Sequence, residues 1–554
     1  MVGTSSTLSV LLKILQLGLI SLIFVVSSVL VYRRIKQAPL RKLYGPSNSS
    51  FFSGNYLQMF NPAAAKYHEY LLKAYGRVIK INGFFGDQQL IISDPKALTS
   101  ILVHNLDAFE VPEWFLESNR QIWGTCFCST TGSEHRRQRK QIIPVFSTSN
   151  LRALLPLLYD ITHQLRDVLQ GEVSDGKREV DALAWAGRLA LEFVAQGALG
   201  YTFDSLNPHG AANEFGKTIK EFNPALSSLA FWRMHFHWIS KLPPRLLRLG
   251  ATVFPMARLR NLRRITTSIL GHATEVLDEK KALLVKGDET LIDQVSEGKT
   301  FIGVLMRQND DEGDGNRIPE EEIIAQMSVL IFASADTTSS MLARIFHLLA
   351  EHQDIQEKLR KEISQAYESC EDPNEELGYH QLLDLPLLEA ICCETLRLYP
   401  AGELTIRQCR SDMTVPLSRP LDTARGAVSS LFIPHGTTVF INIAGINKDP
   451  DIWGADAMDW KPERWLARLP ETVAEARIPS VYGNLATFIA GGRACIGFNF
   501  ALLEMKVALV QLVKHFRLSP SKQEVFWRFG GISVPSVKGS SDTRPRLPIV
   551  MERI

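Results

Sequence analysis

Nineteen consecutive residues without a formal charge, Ile14 to Tyr32, constrain this chain before any other feature does. Leu, Ile, Val, Phe and Ser dominate the run. As a helix rising about 1.5 Å per residue it reaches roughly 28 Å, close to the ~30 Å hydrocarbon core of a bilayer. Arg33, Arg34, Lys36, Arg41 and Lys42 follow it, whereas only Lys13 precedes it. That asymmetry predicts a lumenal N-terminus and a cytosolic body. A cleaved signal peptide would have a shorter apolar core and more charge before it than after. The expected organisation is a short lumenal segment (1–13), a single transmembrane helix (14–32), a basic, Pro/Gly-rich linker (33–55) and one globular domain (56–554). The endoplasmic reticulum is the expected membrane.

The globular part has room for a large core. Hydrophobic residues make up 45% of the 554 and charged residues 22%, an ordinary balance for a folded chain. A net charge of +2 gives no electrostatic reason to expect nucleic acid as a partner. Seven cysteines, at positions 126, 128, 370, 392, 393, 409 and 495, are odd in number and irregularly spaced. No CxxC pair meets a second pair or an HxxxH, which argues against zinc. Sparse cysteine suits a reducing compartment. Cys392 and Cys393 read as ordinary helix residues. Cys126 and Cys128 read either as ordinary thiols or as a redox-active pair.

Arg77–Ile81 and Gln89–Ser93 alternate as strands of a small sheet do, and helical patterns dominate from about Glu134 onward. One predicted helix, Pro319 to about Ala350, is far longer than usual; three glutamates in its first turn suit its dipole. Its middle, Leu330 to Ala335, is apolar or small all round, as in a helix that passes through a core. A second apolar helix is expected over 499–516. Thr414–Ile433, with Pro416, Pro420 and Gly426, reads as an irregular surface insertion, and Asn309–Asn316 as a solvated loop. The aromatic run Phe231–Trp238 before Pro243–Pro244 reads equally as a membrane-dipping segment or a core-facing helix. There are no internal repeats.

The strongest chemical signal is Phe488-Ile-Ala-Gly491-Gly-Arg493-Ala-Cys495-Ile-Gly497, with Ala501 beyond it. Glycines let backbone approach a flat ligand, and the following helix N-terminus favours a thiolate. Arg493 can pair with a ligand carboxylate, and Phe488 can shield the sulfur from water. This loop resembles the haem-binding loop of the cytochrome P450 family at every defining position. The resemblance implies that Cys495 is the axial iron ligand of haem b and that Arg493 contacts a propionate.

Further motifs resemble the same family in order and spacing. Glu394-Thr-Leu-Arg397 and Arg464 match its structural ion-pair network, which locks the thiolate loop. Ala333-Ser334-Ala335-Asp336-Thr337-Thr338 matches its oxygen- and proton-handling segment, with Thr337 and Asp336 as the catalytic pair and Ser334 where the family usually has Gly. From the residues alone, Thr337 can equally bond back to a carbonyl one turn earlier. On Gly132–Arg139, Arg139 keeps a propionate-binding place and His135 replaces a Trp; Arg407 matches another propionate-binding Arg. The resemblance places Phe332, Ala333, Leu404, Thr405 and the Gly530-Gly531 loop near the substrate pocket.

The implied fold is mainly α with a small β-rich lobe, behind the N-terminal transmembrane helix. The implied activity is haem-thiolate monooxygenation of a lipophilic small molecule by O₂. Electrons would come from a membrane-bound NADPH-dependent reductase, with cytochrome b5 as a further donor. The insertions and His135 look like fungal microsomal members, which points toward secondary metabolism such as terpenoid tailoring; fatty-acid and aromatic oxidation stay open. Rival readings are a reductase-independent haem-thiolate isomerase or peroxygenase, and a haem-binding sensor or carrier without turnover.

Overall fold

The computed structural model of the protein describes residues 3–207, 212–239, 256–286, 301, 303–304, 318–370, 372, 375–542 and 544–554. Two helices among them are long and apolar enough to cross a membrane, and their surroundings tell them apart. Helix α1 (Gly3–Lys36) contains the expected apolar run and has its three basic residues in the last turn, where they complement the exposed carbonyls. Its candidate span, Gln16–Lys36, is 0% buried by the rest of the protein, whereas the other helix, Glu320–Glu351, is 72% buried. The second is therefore a core element despite its composition.

The helical body places the site through α2 (Glu113–Trp123), α3 (Gly132–Ile142), α4 (Thr148–Glu172), α5 (Ala182–Glu192), α6 (Ala212–Ser227), α7 (Ala230–Ile239), α8 (Glu320–Glu351), α9 (Pro386–Leu398) and α10 (Phe498–His515). Helix α8 begins within a residue of its predicted start, with Pro319 as its N-cap. It buries Ile323, Met327, Leu330, Ile331, Met341, Leu342, Ile345 and Leu349 on successive faces, packing against α5, α9 and α10. Helix α10 ends one residue before the expected position because Phe516 opens a strand.

The strands are β1 (Val78–Asn82), β2 (Gln88–Ile92), β3 (Phe109–Glu110), β4 (Arg178–Asp181), β5 (Leu404–Cys409), β6 (Met413–Thr423), β7 (Gly426–Ile433), β8 (Thr438–Asn442), β9 (Phe516–Pro520), β10 (Val525–Arg528), β11 (Val534–Val537) and β12 (Pro548–Arg553). The small lobe is a five-stranded sheet in the order β1-β2-β8-β5-β3. Its first two strands lie within a residue of the predicted ones and pair antiparallel, with Val78 opposite Ile92. Two of its five strands, β5 and β8, come from the C-terminal half of the chain.

Thr414–Ile433 departs from the sequence reading. It is an antiparallel ribbon of β6 and β7, interrupted between Pro416 and Leu421. Proline cannot donate to a ladder, but a two-stranded ribbon has free edges where the missing N–H costs nothing. Asn309–Asn316 and Pro243–Pro244 lie outside the described residues.

Candidate active site

The loop ahead of α10 is held by its own backbone. Cys495 N–H donates to Phe488 O at 2.9 Å, closing the segment into a tight loop. Gly491 has φ of +76°, and a Cβ there would lie 1.7 Å from Leu102 O, so no side chain is tolerated. Ile489 is β-branched yet has φ of +58°, a strain of about 1–3 kcal/mol that the surrounding structure must hold. Phe488 packs edge-on against Tyr482 and at a tilt against Phe498, with ring centroids 6.0 and 5.9 Å away. Gly497 caps α10.

Cys495 is the one exposed residue among the seven cysteines. It is nevertheless deep enough for desolvation to raise its thiol pKa, against the pull of the Gly497 N–H and of Arg139. A sulfur that is both accessible and deep lies on the wall of an interior hollow. On α8, Ala333 is likewise exposed in the middle of a buried helix.

Charge around the loop is unbalanced. Arg493 donates to Glu110 Oε1 at 2.6 Å, to Phe127 O at 3.4 Å and to Thr130 O at 2.8 Å. Arg407 is 4% exposed and donates to its neighbour's carbonyl, Ile406 O, at 2.8 Å. Burial first, and Arg493 second, lower its pKa to about 10, with Glu110 opposing. On α3, His135 and Arg139 face inward together, while Arg136, Arg137 and Lys140 are exposed. Burial, Arg493 and Arg139 lower the His135 pKa to about 4. Glu110 faces Arg493 and Arg407, whereas the charged neighbours of Arg139 are Arg493 and Cys495. Among the described residues these three guanidinium groups thus have one carboxylate between them, and two positive charges are left uncompensated. The two propionates of haem carry the complementary charge, and the exposed deep cysteine supplies the thiolate, so these residues fit that cofactor.

Behind the loop lies a fully paired ion network. Arg397 donates to both oxygens of Glu394 at 2.8 Å and to the carbonyls of Asn447 and Ala457 at 2.9 and 2.7 Å. Arg464 approaches Glu394 at 3.4 Å and Asp456 at 2.8 Å. The Trp465 indole N–H and the Lys461 N–H complete the shell of Glu394 at 2.9 and 3.0 Å. Burial alone would raise the Glu394 pKa; Arg397 and the other donors outweigh it, and the carboxyl is lowered. Asn447 then accepts from Ala486 N–H and donates to Thr487 Oγ1, both at 2.9 Å, and Thr487 donates to Leu396 O at 2.8 Å. The network therefore reaches the residue next to Phe488. Asp456, Asn447 and Thr487 had no signal in the sequence.

Across the hollow, the predicted pair on α8 separates. Thr337 Oγ1 donates to Ala333 O at 2.8 Å, the back-bonding alternative read from the sequence. Asp336 is 2% exposed. Its Oδ1 accepts from Lys220 Nζ at 2.7 Å and its Oδ2 from Asn223 Nδ2 at 2.6 Å. Lys220, on α6, also reaches Ser339 Oγ. One turn of α8 faces elsewhere: Thr338 donates to Glu504 Oε2 at 2.9 Å. Glu504 is completely buried, and its Oε1 is without a hydrogen-bond partner. Burial holds its pKa well above the usual carboxylate range, against Thr338 and Ser334.

Comparison with known proteins agrees with this geometry. The family model for cytochrome P450 matches residues 45–538. The chain belongs to the cytochrome P450 family. Cytochrome P450 monooxygenase 212 of Postia placenta is 41% identical over 515 residues, covering 92% of this chain and 93% of the relative. Cytochrome P450 monooxygenase 91 of the same fungus is 38% identical over 546 residues, covering 98% and 99%. A ganoderic acid synthetase of Ganoderma lucidum is 36% identical over 520 residues, covering 93% and 94%. This P450 is a monooxygenase, and its family implies haem held by a cysteine thiolate, together with O₂, a redox partner and a small-molecule substrate.

The remaining pocket assignments in this P450 divide. Phe332 packs on Phe222 and Trp123, at centroid distances of 4.4 and 5.5 Å. On β5 the side chains alternate, so Thr405 shares the face of Arg407. Leu404 lies on the opposite face, against the small-lobe cluster around Tyr56, Met59 and Ile81. Gly530 and Gly531 connect β10 to β11, and the next turn is tied to α8 through Ser340 Oγ to Ser533 O at 2.5 Å. The aromatic run 231–238 is helical within α7; Phe231 is 41% exposed and packs edge-on against Phe84 at 5.0 Å. The side chains of Phe236, His237 and Trp238 lie outside the described residues.

Proposed function

We propose that this monooxygenase oxygenates a lipophilic small molecule of secondary metabolism, with Cys495 as the axial thiolate. The observation that carries the reading is Cys495 itself: accessible, deep, set in a glycine-hinged loop and faced by a cradle with two uncompensated positive charges. Arg139, His135, Arg407 and Arg493 would hold the propionates, with Glu110 releasing Arg493 in part. Phe488 screens the sulfur, Gly491 lets the loop seat on Leu102 O, and Gly497 N–H supports the thiolate. Haem, when bound, supplies the activation of O₂, one atom entering the substrate and the other leaving as water.

The chain's own residues manage protons and access. Lys220, partly exposed, carries a proton at Nζ that touches Asp336 Oδ1. Asp336 passes protons from that end toward the hollow, and Thr337 delivers them when its hydroxyl turns away from Ala333 O. Electrons come from an NADPH-dependent cytochrome reductase, with cytochrome b5 as an alternative second donor. Residues 14–32 anchor the protein in the endoplasmic reticulum membrane, with 1–13 lumenal, 33–55 a linker and the haem-thiolate catalytic domain of 56–554 cytosolic; the unburied apolar α1 with basic residues at its end supports this. Likeness to the ganoderic acid synthetase supports a terpenoid as substrate.

The test is the absorption spectrum of the reduced, carbon-monoxide-bound protein beside Cys495→Ala. A strongly red-shifted Soret band that the variant lacks is expected. A folded wild-type protein with an ordinary Soret position would overturn the assignment. NADPH consumption with reductase present, coupled to an oxygenated terpenoid, is the expected result for substrate class.

A further inference from the structure

Cys126 and Cys128 are left over by the proposed chemistry, yet they are placed together. Their Sγ atoms are 3.1 Å apart, about 1 Å beyond a disulfide bond length. They flank Phe127 in a turn closed by Ser129 N–H on Cys126 O at 2.8 Å. Several elements converge on that turn. Asn119 of α2 donates to Cys128 O at 3.1 Å. Phe127 N–H donates to Gln326 of α8 at 3.3 Å. The carbonyls of Phe127 and Thr130 accept from Arg493.

We propose that Cys126 and Cys128 are a dithiol that a hydroperoxide converts reversibly to a disulfide, a modification site on the turn that holds Arg493. The surroundings suit thiol chemistry. Cys126 is fully buried and Cys128 half-buried. Arg493 is near Cys128, and Arg233 from α7, bound to Ser118 at 3.0 Å, brings a second cation to it. A neighbouring cation favours the thiolate, the reactive form, but at Cys128 the Cys126 thiol first and burial second outweigh Arg493 and hold the pKa well above the ordinary thiol range. The thiol of Cys128, and then burial in opposition, determine the state of Cys126, whose pKa is lowered with help from Ser129.

The step balances in two stages. Hydrogen peroxide transfers one oxygen to one of the two sulfurs, and the other oxygen leaves as water, giving a sulfenic acid. The second sulfur, 3.1 Å away, then displaces that hydroxyl; the S–S bond forms and a second water leaves. Two thiols are oxidised by two electrons and one peroxide is reduced. A dithiol reductant reverses it by exchange.

The experiment uses the haem-loaded full chain, in which Cys495 is engaged. It is treated with hydrogen peroxide, denatured in excess maleimide and digested with trypsin. The peptide Gln121–Arg136 contains these two cysteines and no other. The expected result is a peptide lighter by two hydrogens that takes no maleimide, and that takes two after a dithiol reductant. In Cys126→Ser and in Cys128→Ser the same peptide should form no internal disulfide, and the remaining cysteine of at least one variant should instead gain oxygen. A wild-type peptide that is doubly alkylated after peroxide, or that only gains oxygen, overturns the proposal.

Discussion

Arg397 meets both carboxylate oxygens of Glu394 at 2.8 Å, and neither side chain has any exposed surface. Removing one partner of such a pair strands a buried charge, which costs about 3–5 kcal/mol. Arg397→Met should therefore lower thermal stability sharply and abolish haem retention, because the same network reaches Thr487. Differential scanning calorimetry and haem content check it. Full haem occupancy in a destabilised variant would disconnect the network from the loop.

Lys220 and Asn223 hold the carboxylate of Asp336. Asp336→Asn should slow turnover by about 10²-fold or more, the range typical of a lost general acid–base, with the carbon-monoxide spectrum intact. Lys220→Met should give a similar loss and a larger solvent isotope effect. Normal turnover in both variants would remove this route for protons.

His135 gives a pH signature. Its folded pKa is about 4, below the unfolded value of about 6.5. Between these values the unfolded chain binds the extra proton, so stability of the haem-free protein falls as pH drops through that window, by up to about 3 kcal/mol. Above pH about 6.5 this group contributes no slope. His135→Trp should flatten that part of the curve while keeping an N–H for the propionate. Urea unfolding at a series of pH values measures it.

Glu504 behaves with the opposite sign. Its pKa is raised in the folded protein, so stability is lost as pH rises above the unfolded value of about 4.5 and the unfolded chain gives up a proton. Glu504→Gln should be more stable than wild type at neutral pH and should lose that slope. Equal destabilisation at every pH would mean that the carboxyl is ionised in place.

Much of the site was legible because ligand chemistry restricts residue type locally. The Phe488–Gly497 loop, the Glu394/Arg397 pair and the small-residue centre of α8 each announce themselves within ten residues of sequence. The partners that complete them do not. Lys220 and Asn223 reach Asp336 across more than a hundred residues of chain, and Glu110 meets Arg493 from a two-residue strand; ordinary polar residues in those contexts read as surface. Thr414–Ile433 was misread because prolines signal a break except on a free edge. Leu404 packs on the small-lobe cluster because a strand sends alternate residues to opposite faces, and the sequence did not say which face it would take. Glu504 carried a legible hint, a charge on an otherwise apolar helix, but its partner Thr338 is the last residue of a motif whose other members were already assigned a role.

Arg397 binds one carboxylate, but its other acceptors are carbonyls of Asn447, Ala457 and Asp459. A carbonyl is supplied by any amino acid. Drift at the exposed position 459 therefore leaves the anchoring of the thiolate loop untouched so long as the backbone path is kept, whereas Ala457, fully buried, is confined by its neighbours and 394 and 397 have no substitutes. Mutational tolerance at such carbonyl donors is set by chain geometry and local burial, and a library that randomises 459 while fixing that pair should stay rich in haem-loaded clones.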